Sequence, residues 1–153
     1  MPSSVNRVFL DSNVIISGLL SSKGAPRIIL DLLCLHLPNL RGLTGTYNMM
    51  EIERNLTRKL PAALPVFQEY LPRMNLEIVS LPASEELEPW LGITADKDLP
   101  VIVSAVDGKA DFLVTGDTGD FGALMQRDDL PFRVLTPTEF VLLAGKLLGN
   151  DSE

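Results

Sequence analysis

Hydrophobic positions along this chain fall into short uninterrupted runs, separated by longer stretches with helical spacing. Arg7 to Leu10 ends in Val8-Phe9-Leu10 without a polar break, the pattern of a short strand buried on both faces. Residues 25–36 open on Ala25-Pro26, and proline in a first turn predicts a helix there. Gly42 to Thr44 is a weakly marked second strand. From Tyr47 to about Leu60, the positions of Met50, Ile52, Leu56 and Leu60 predict a helix with Glu51 near its apolar edge. Pro61 and Pro65 bracket a further helix from about Ala62 to Arg73, and Leu76 to Val79 alternates as a strand. Ser84 with Glu85, Glu86 and Glu88 reads as the acidic start of a short helix. Asp98-Leu99-Pro100 opens another over Val101 to Val106. Phe112 to Thr115 and Phe132 to Leu135 are the last strands. In Thr136-Pro137-Thr138-Glu139, either threonine could cap a helix reaching Leu148; Thr136, with Pro137 next and Glu139 three residues on, fits best.

Strands alternating with helices define an α/β domain with a mainly parallel sheet. No repeat, low-complexity segment or long Gly/Ser/Pro linker divides the 153 residues, so one domain over residues 1–150 is expected. At 46% hydrophobic residues the chain can bury a substantial core. Cys34, the single cysteine, lies in the apolar run Ile28 to Leu37 and reads as core filler. Met1 to Asn6 carries no pattern of a secretory signal, and Asp11, Asp31 and His36 interrupt every stretch that might approach the ~18 residues of a membrane span. A soluble cytoplasmic protein without a membrane partner is therefore expected.

The net charge of −7 speaks at first against a nucleic-acid partner. Its distribution changes the picture, since residues 1–76 carry 8 Lys/Arg against 5 Asp/Glu and residues 77–153 carry 5 against 15. Arg54, Arg58 and Lys59 cluster on one predicted helix, and Lys23 and Arg27 flank the first. They can form a basic rim to an acidic centre, or simply solvated helix faces.

The chemistry resides in carboxylates at predicted strand ends and helix starts. Asp11 closes the first strand, and Asp117 follows Phe112–Thr115 through Gly116, which permits a sharp turn. In parallel sheets the functional crevice lies outside the carboxyl ends of the strands. Glu51 and Asp98 could join them there. Mg²⁺ and Mn²⁺ prefer hard oxygen ligands, and paired cations support phosphodiester cleavage. Four close carboxylates without cations would repel one another. Each also has a plainer reading: Asp11 and Asp98 as helix or turn caps, Glu51 as an exposed helix residue poorly separated from Glu53. Asn13 can orient a ligand or sit in a turn, and Ser12 can bond a carboxylate or a backbone amide. Asp96 is a second choice to Asp98. Asp120 can share the Asp117 rim, and Asp111 reads as a turn residue. Walker and dinucleotide glycine motifs are absent, Asn13 stands where a haloacid-dehalogenase phosphatase needs Asp, and the lone His36, placed within a helix, does not support a Ser/His/Asp relay. Trp90 and the few other aromatics form no base-stacking series.

These residues resemble a family. Val8-Phe9-Leu10-Asp11-Ser12-Asn13-Val14-Ile15-Ile16-Ser17 is similar to the opening of PIN domains, and Met50-Glu51-Ile52-Glu53-Arg54-Asn55-Leu56 to their acidic helix, with Glu51 the better match. Lys97-Asp98-Leu99-Pro100-Val101 and Ala110-Asp111-Phe112-Leu113-Val114-Thr115-Gly116-Asp117 resemble the third and fourth acidic positions. Phe121-Gly122 and Leu135-Thr136-Pro137-Thr138-Glu139-Phe140 resemble the VapC-like branch, the toxins of toxin–antitoxin pairs. Ser12 departs from the commoner threonine, and Pro61 to Pro89 resembles an insertion.

The resemblance implies a Rossmann-like three-layer α/β/α sandwich with about five mainly parallel strands. It implies a Mg²⁺- or Mn²⁺-dependent endoribonuclease, with Asp11, Glu51, Asp98 and Asp117 as catalytic metal ligands and Ser12, Asn13 and Thr115 in support. Arg54, Arg58 and Lys59 would contact RNA, and water rather than a side chain would be the nucleophile. A cognate antitoxin protein and a homodimer or higher oligomer are the implied partners. Two other readings stand beside it: a catalytically weak or inactive PIN-like binding module acting through a protein partner, and a DNA nuclease, which the lack of an extended basic arm disfavours.

Overall fold

A computed structural model describes residues 5–149. Met1 to Ser4, at the start of the segment without a secretory pattern, and Asn150, the end of the expected domain, lie outside the described residues. Five strands, β1 (Asn6–Leu10), β2 (Leu40–Gly45), β3 (Glu77–Val79), β4 (Phe112–Val114) and β5 (Arg133–Leu135), form one sheet. Their order is β3-β2-β1-β4-β5, and every pairing is parallel. Around the sheet lie α1 (Ser12–Leu20), α2 (Ala25–Cys34), α3 (Thr46–Lys59), α4 (Ala63–Met74), α5 (Ser84–Leu87), α6 (Leu99–Asp107), α7 (Thr118–Phe121) and α8 (Pro137–Gly149). None of these helices is long and apolar enough to cross a membrane.

The three layers follow from the two faces of β1. Val8 and Leu10 point into a core shared with α1, α2, α3, α4 and α8, while Phe9 points into a second core with α6 and α7. All three side chains are fully buried, each contributing about 1.5–3 kcal/mol by leaving water. A strand between two helix layers has no face for polar residues, so its sequence is continuously apolar. Trp90 packs at the edge of the second core, and Cys34 is a free thiol at the edge of the first.

The sheet turns back between β1 and β4, since β1, β2 and β3 run outward one way and β4 and β5 the other. A crevice opens at the carboxyl ends of strands at such a point. Register holds its walls together: Leu10 pairs with Val114, and the Asp11 amide donates to the Val114 carbonyl at 3.0 Å.

The predicted elements recur with shifted ends, and three differences are physical. The apolar pattern does not predict α1, because Val14-Ile15-Ile16 is a β-branched run with modest helix propensity. Burial of Val14 and Ile15 against α2 and the sheet overrides that preference. The first predicted helix ends at Cys34 rather than at residue 36, so His36 is not a helical residue. It has φ 53°, just ahead of Leu37-Pro38, where helix is disfavoured, and its Nε2 lies 2.7 Å from the Arg73 carbonyl. The stretch from Pro61 to Pro89 is no loose insertion, since it supplies α4 to the first core and β3 to the sheet edge. Thr136 caps α8 as expected: Glu139 N–H donates to Thr136 Oγ1, and Glu139 Oε1 accepts from the Thr136 amide.

Gly45 joins β2 to α3 with an ordinary extended backbone, φ −101° and ψ 156°. What the position requires is the absence of a side chain, because a Cβ there would stand 2.9 Å from Asn48 Oδ1 and 3.0 Å from Ser104 Oγ. Gly45→Ala is expected to destabilise the fold by about 1–3 kcal/mol, the usual range for overpacking. Urea unfolding measures it, and an unchanged midpoint would show that α3 and α6 yield without cost.

Candidate metal centre

Asp11 is only 6% exposed, at the point where β1 gives way to α1. Its carboxylate accepts from four groups. Ser12 N–H (2.8 Å) and Asn48 Nδ2 (3.1 Å) donate to Oδ1, while Thr115 Oγ1 (2.8 Å) and Asn13 Nδ2 (3.3 Å) donate to Oδ2. These donors come from α1, from α3 and from the residue after β4. Even so, the carboxyl group lies above its ordinary range, first because it is buried, with Glu51 and Asp117 adding to the rise. Burying a charge costs several kcal/mol, and the donors offset only part of it.

A cavity of about 200 Å³ in front of Asp11 is also lined by Ser12, Asn13, Glu51, Asp98 and Asp117, with Tyr47, Asn55 and Lys97. All four carboxylates expected at the site therefore meet in one place. Glu51 Oε1 accepts from Ser12 Oγ at 2.8 Å, and Ser12 Oγ in turn accepts from Asn48 Nδ2 at 2.9 Å. Glu53, two residues on, falls on another face of the helix and is exposed. Of the two, it is Glu51 that the helix turns inward.

The capping alternative is distributed otherwise than sequence suggests. Asp11 caps α1 through Ser12 N–H, and Asp117 caps α7 by accepting from Asp120 N–H at 2.9 Å. Asp98, which looks most like a cap in sequence, makes no side-chain cap bond to α6, and its Oδ2 is buried without a partner. Oxygens of Asp98, Asp117 and Asp120 lie within 4.8 Å of one another. Burial, and then the neighbouring Asp120 carboxylate, push Asp98 up to about 7. Asp120 itself is held below its ordinary range, chiefly by Lys97 Nζ at 3.2 Å. Tyr47 is raised by burial and by Glu51 and Asp98, so the whole pocket is electronegative.

The supporting residues have defined partners. Thr115 Oγ1 accepts from Asp117 N–H at 3.1 Å, and Asn13 Oδ1 accepts from Gly116 N–H at 2.8 Å, fixing the turn after β4. Arg54, Arg58 and Lys59 are exposed and do not line the acidic cavity. Lys59 lines a groove of about 230 Å³ that shares Asn13, Ile16 and Asn55 with it. Arg58 and Lys59 also occupy the last turn of α3, where positive charge complements the helix dipole. Asp96 is exposed, and Asp111 lies at the opposite, amino end of the strands, accepting from Arg7 N–H. Sequence reasoning missed Asn48, which is fully buried and binds both Asp11 and Ser12. Its position three residues before Glu51 on the same helix is the signal that could have found it.

Hard oxygen donors converging around an unpartnered buried carboxylate oxygen fit a small divalent cation. The sequence matches the family model described as PIN domain over residues 7–119, more than half of the chain. The protein belongs to the PIN domain family. No protein of curated function matches it significantly in sequence. Among solved structures, its fold is similar to chains in DNA-bound VapBC from Salmonella typhimurium (16% identity, TM-score 0.63, 87% of this chain and 99% of that one). It is likewise similar to VapBC-1 from nontypeable Haemophilus influenzae (17%, 0.60, 86% and 98%) and to VapBC2 from Rickettsia felis bound to a promoter DNA fragment (18%, 0.58, 85% and 98%).

A carboxyl group raised in the folded state binds its proton more tightly there than in the unfolded chain. Its stabilising effect is full below the ordinary value of 3.8 and is lost as pH rises toward about 7. In chelator, Asp98→Asn should therefore flatten the fall in stability between about pH 4 and about pH 7. Urea midpoints at the two ends check it; parallel profiles for the two proteins would contradict the assignment. Asn48→Ala, which strips donors from Asp11 and Ser12, should cost about 2 kcal/mol. A loss below about 0.5 kcal/mol in the same assay would mean that those bonds are replaced by water.

Proposed function

We propose that this PIN domain is a Mg²⁺- or Mn²⁺-dependent endoribonuclease and the toxin of a toxin–antitoxin pair. The observation that carries the reading is the convergence of Asp11, Glu51, Asp98 and Asp117 from four separate segments at the sheet's switch point, with Asp98 Oδ2 unpartnered. These four residues would hold the cation. When bound, it supplies the positive charge that activates water and stabilises a phosphodiester as it breaks.

The chain's own groups do the positioning. Thr115, Asn13 and Asn48 hold the Asp11 carboxylate, and Ser12 orients Glu51 through its hydroxyl. No histidine or cysteine is among the residues lining the cavity, and its hydroxyl groups are engaged, Ser12 with Glu51 and Tyr47 with the Lys97 carbonyl. Water is accordingly the attacking group. Arg54, Arg58 and Lys59 extend along α3 beyond the acidic cavity and would take up RNA phosphates there. Similarity to chains of VapBC assemblies supports an antitoxin partner, and a homodimer belongs to the same reading.

Single-stranded RNA should be cut in the presence of Mn²⁺, not in chelator, and at least about 100-fold more slowly by Asp11→Asn or Glu51→Gln. Glu53→Gln should cut normally. Gel analysis of end-labelled RNA decides, with a matched DNA strand as the test of a DNA nuclease; full activity of Asp11→Asn would overturn the proposal. Cation at 100 times its Kd should also stabilise the protein by about 2.7 kcal/mol. If neither Mg²⁺ nor Mn²⁺ raises the unfolding temperature, a metal-free binding module becomes the better account.

A further inference from the structure

Lys97 is the one cationic residue among those lining the acidic cavity. The peptide unit that joins it to Asp98 is held at both ends: Tyr47 donates its hydroxyl to the Lys97 carbonyl at 2.9 Å, and Asp98 N–H donates to the Ala95 carbonyl at 2.9 Å. Its side chain is not fixed. It is 72% exposed, and its ion pair is the 3.2 Å contact from Nζ to Asp120 Oδ2. Asp120 is one of the three carboxylates whose oxygens lie within 4.8 Å of one another. A solvated pair of this kind is weak and easily exchanged. The stem is thus anchored beside the carboxylates, and the ammonium is free to leave them.

We propose that Lys97 is a tethered counter-cation of this site, which competes with a divalent cation for the Asp98–Asp117–Asp120 corner and, once displaced, engages a phosphate of the RNA. The inference rests on the metal-site reading above and deepens it. Electrostatics require both halves. An ammonium and a dication cannot share three carboxylates without repulsion, so cation entry pushes Nζ outward. The displaced charge then stands at the mouth of the cavity, where a backbone phosphate would have to approach past Glu51 and Asp117. Arg54 and Arg58 do not line the cavity, and Lys59 lines only the adjoining groove. Lys97 is therefore the group placed to offset the repulsion between the acidic rim and the phosphate nearest the reacting bond.

The two halves predict shifts of opposite sign in one variant. Lys97→Gln should bind Mn²⁺ about 5- to 20-fold more tightly by titration calorimetry, which is the Coulomb effect of one unit charge near a dication in water. The same variant should bind labelled RNA in Ca²⁺ several-fold more weakly, with a salt slope lower by about 0.7, the value for one lost phosphate contact on a single strand. Lys97→Arg should restore RNA binding. Lys146→Gln, on α8 and not among the residues lining the cavity, should leave Mn²⁺ affinity unchanged. If Lys97→Gln binds Mn²⁺ no more tightly, or RNA no more weakly, than the unaltered protein, the inference is overturned while the metal site stands. If the unaltered protein binds no divalent cation at all, the metal-site reading fails and this inference with it.

Discussion

The buried carboxylate of Asp11 is the constraint on which the rest of the arrangement depends, because a charge removed from water must be met by donors drawn from several parts of the fold. Those donors are the first amide of α1, a side chain on α1, an asparagine on α3 and a threonine just past β4. One side chain thereby ties the end of the central strand to three neighbouring segments. The apolar strands below it make this possible. Val8, Phe9 and Leu10 are anchored in the two cores, so Asp11 emerges at a fixed height above the sheet.

Stability and chemistry pull this region in opposite directions. Asp11 and Asp98 both lie above the ordinary carboxyl range, which means that the fold disfavours their charged forms. A structure optimised only for stability would place apolar or neutral side chains there. Instead the chain gathers further carboxylates around them and leaves Asp98 Oδ2 without a donor. Lys97 partly offsets the charge from the rim, through an exposed contact that a stronger cation can replace.

The likeness to VapBC structures at 16–18% identity illustrates how little of the sequence the fold itself requires. A parallel sheet between helix layers needs apolar strands of matched length and helices that bury one face, and many side chains satisfy that equally well. The site is more demanding. Donors to Asp11 must have the right groups at the right distance, so a few positions carry the chemistry while the cores tolerate exchange.

Much of the framework was legible in the sequence. Val8-Phe9-Leu10 and Phe112-Leu113-Val114 read as strands because burial on both faces excludes polar residues, and Asp11 and Asp117 drew notice by interrupting those runs at their ends. The capping box at Thr136 and Glu139 was legible for a local reason, since both partners lie within one turn. Other features were decided only by tertiary structure. Helix α1 forms from a β-branched run because Val14 and Ile15 are buried in the first core, and His36 leaves the helix ahead of Pro38. Local pattern separates Glu51 from Glu53 only poorly, and the orientation of α3 toward Ser12 decides between them. Asn48, Asp98 and Lys97 likewise acquire their significance from partners supplied by other elements. Local periodicity reports which face of an element is apolar. It does not report which polar groups meet above the sheet, because strand order brings together residues as far apart as Asp11 and Thr115, and no nearby residue records that meeting.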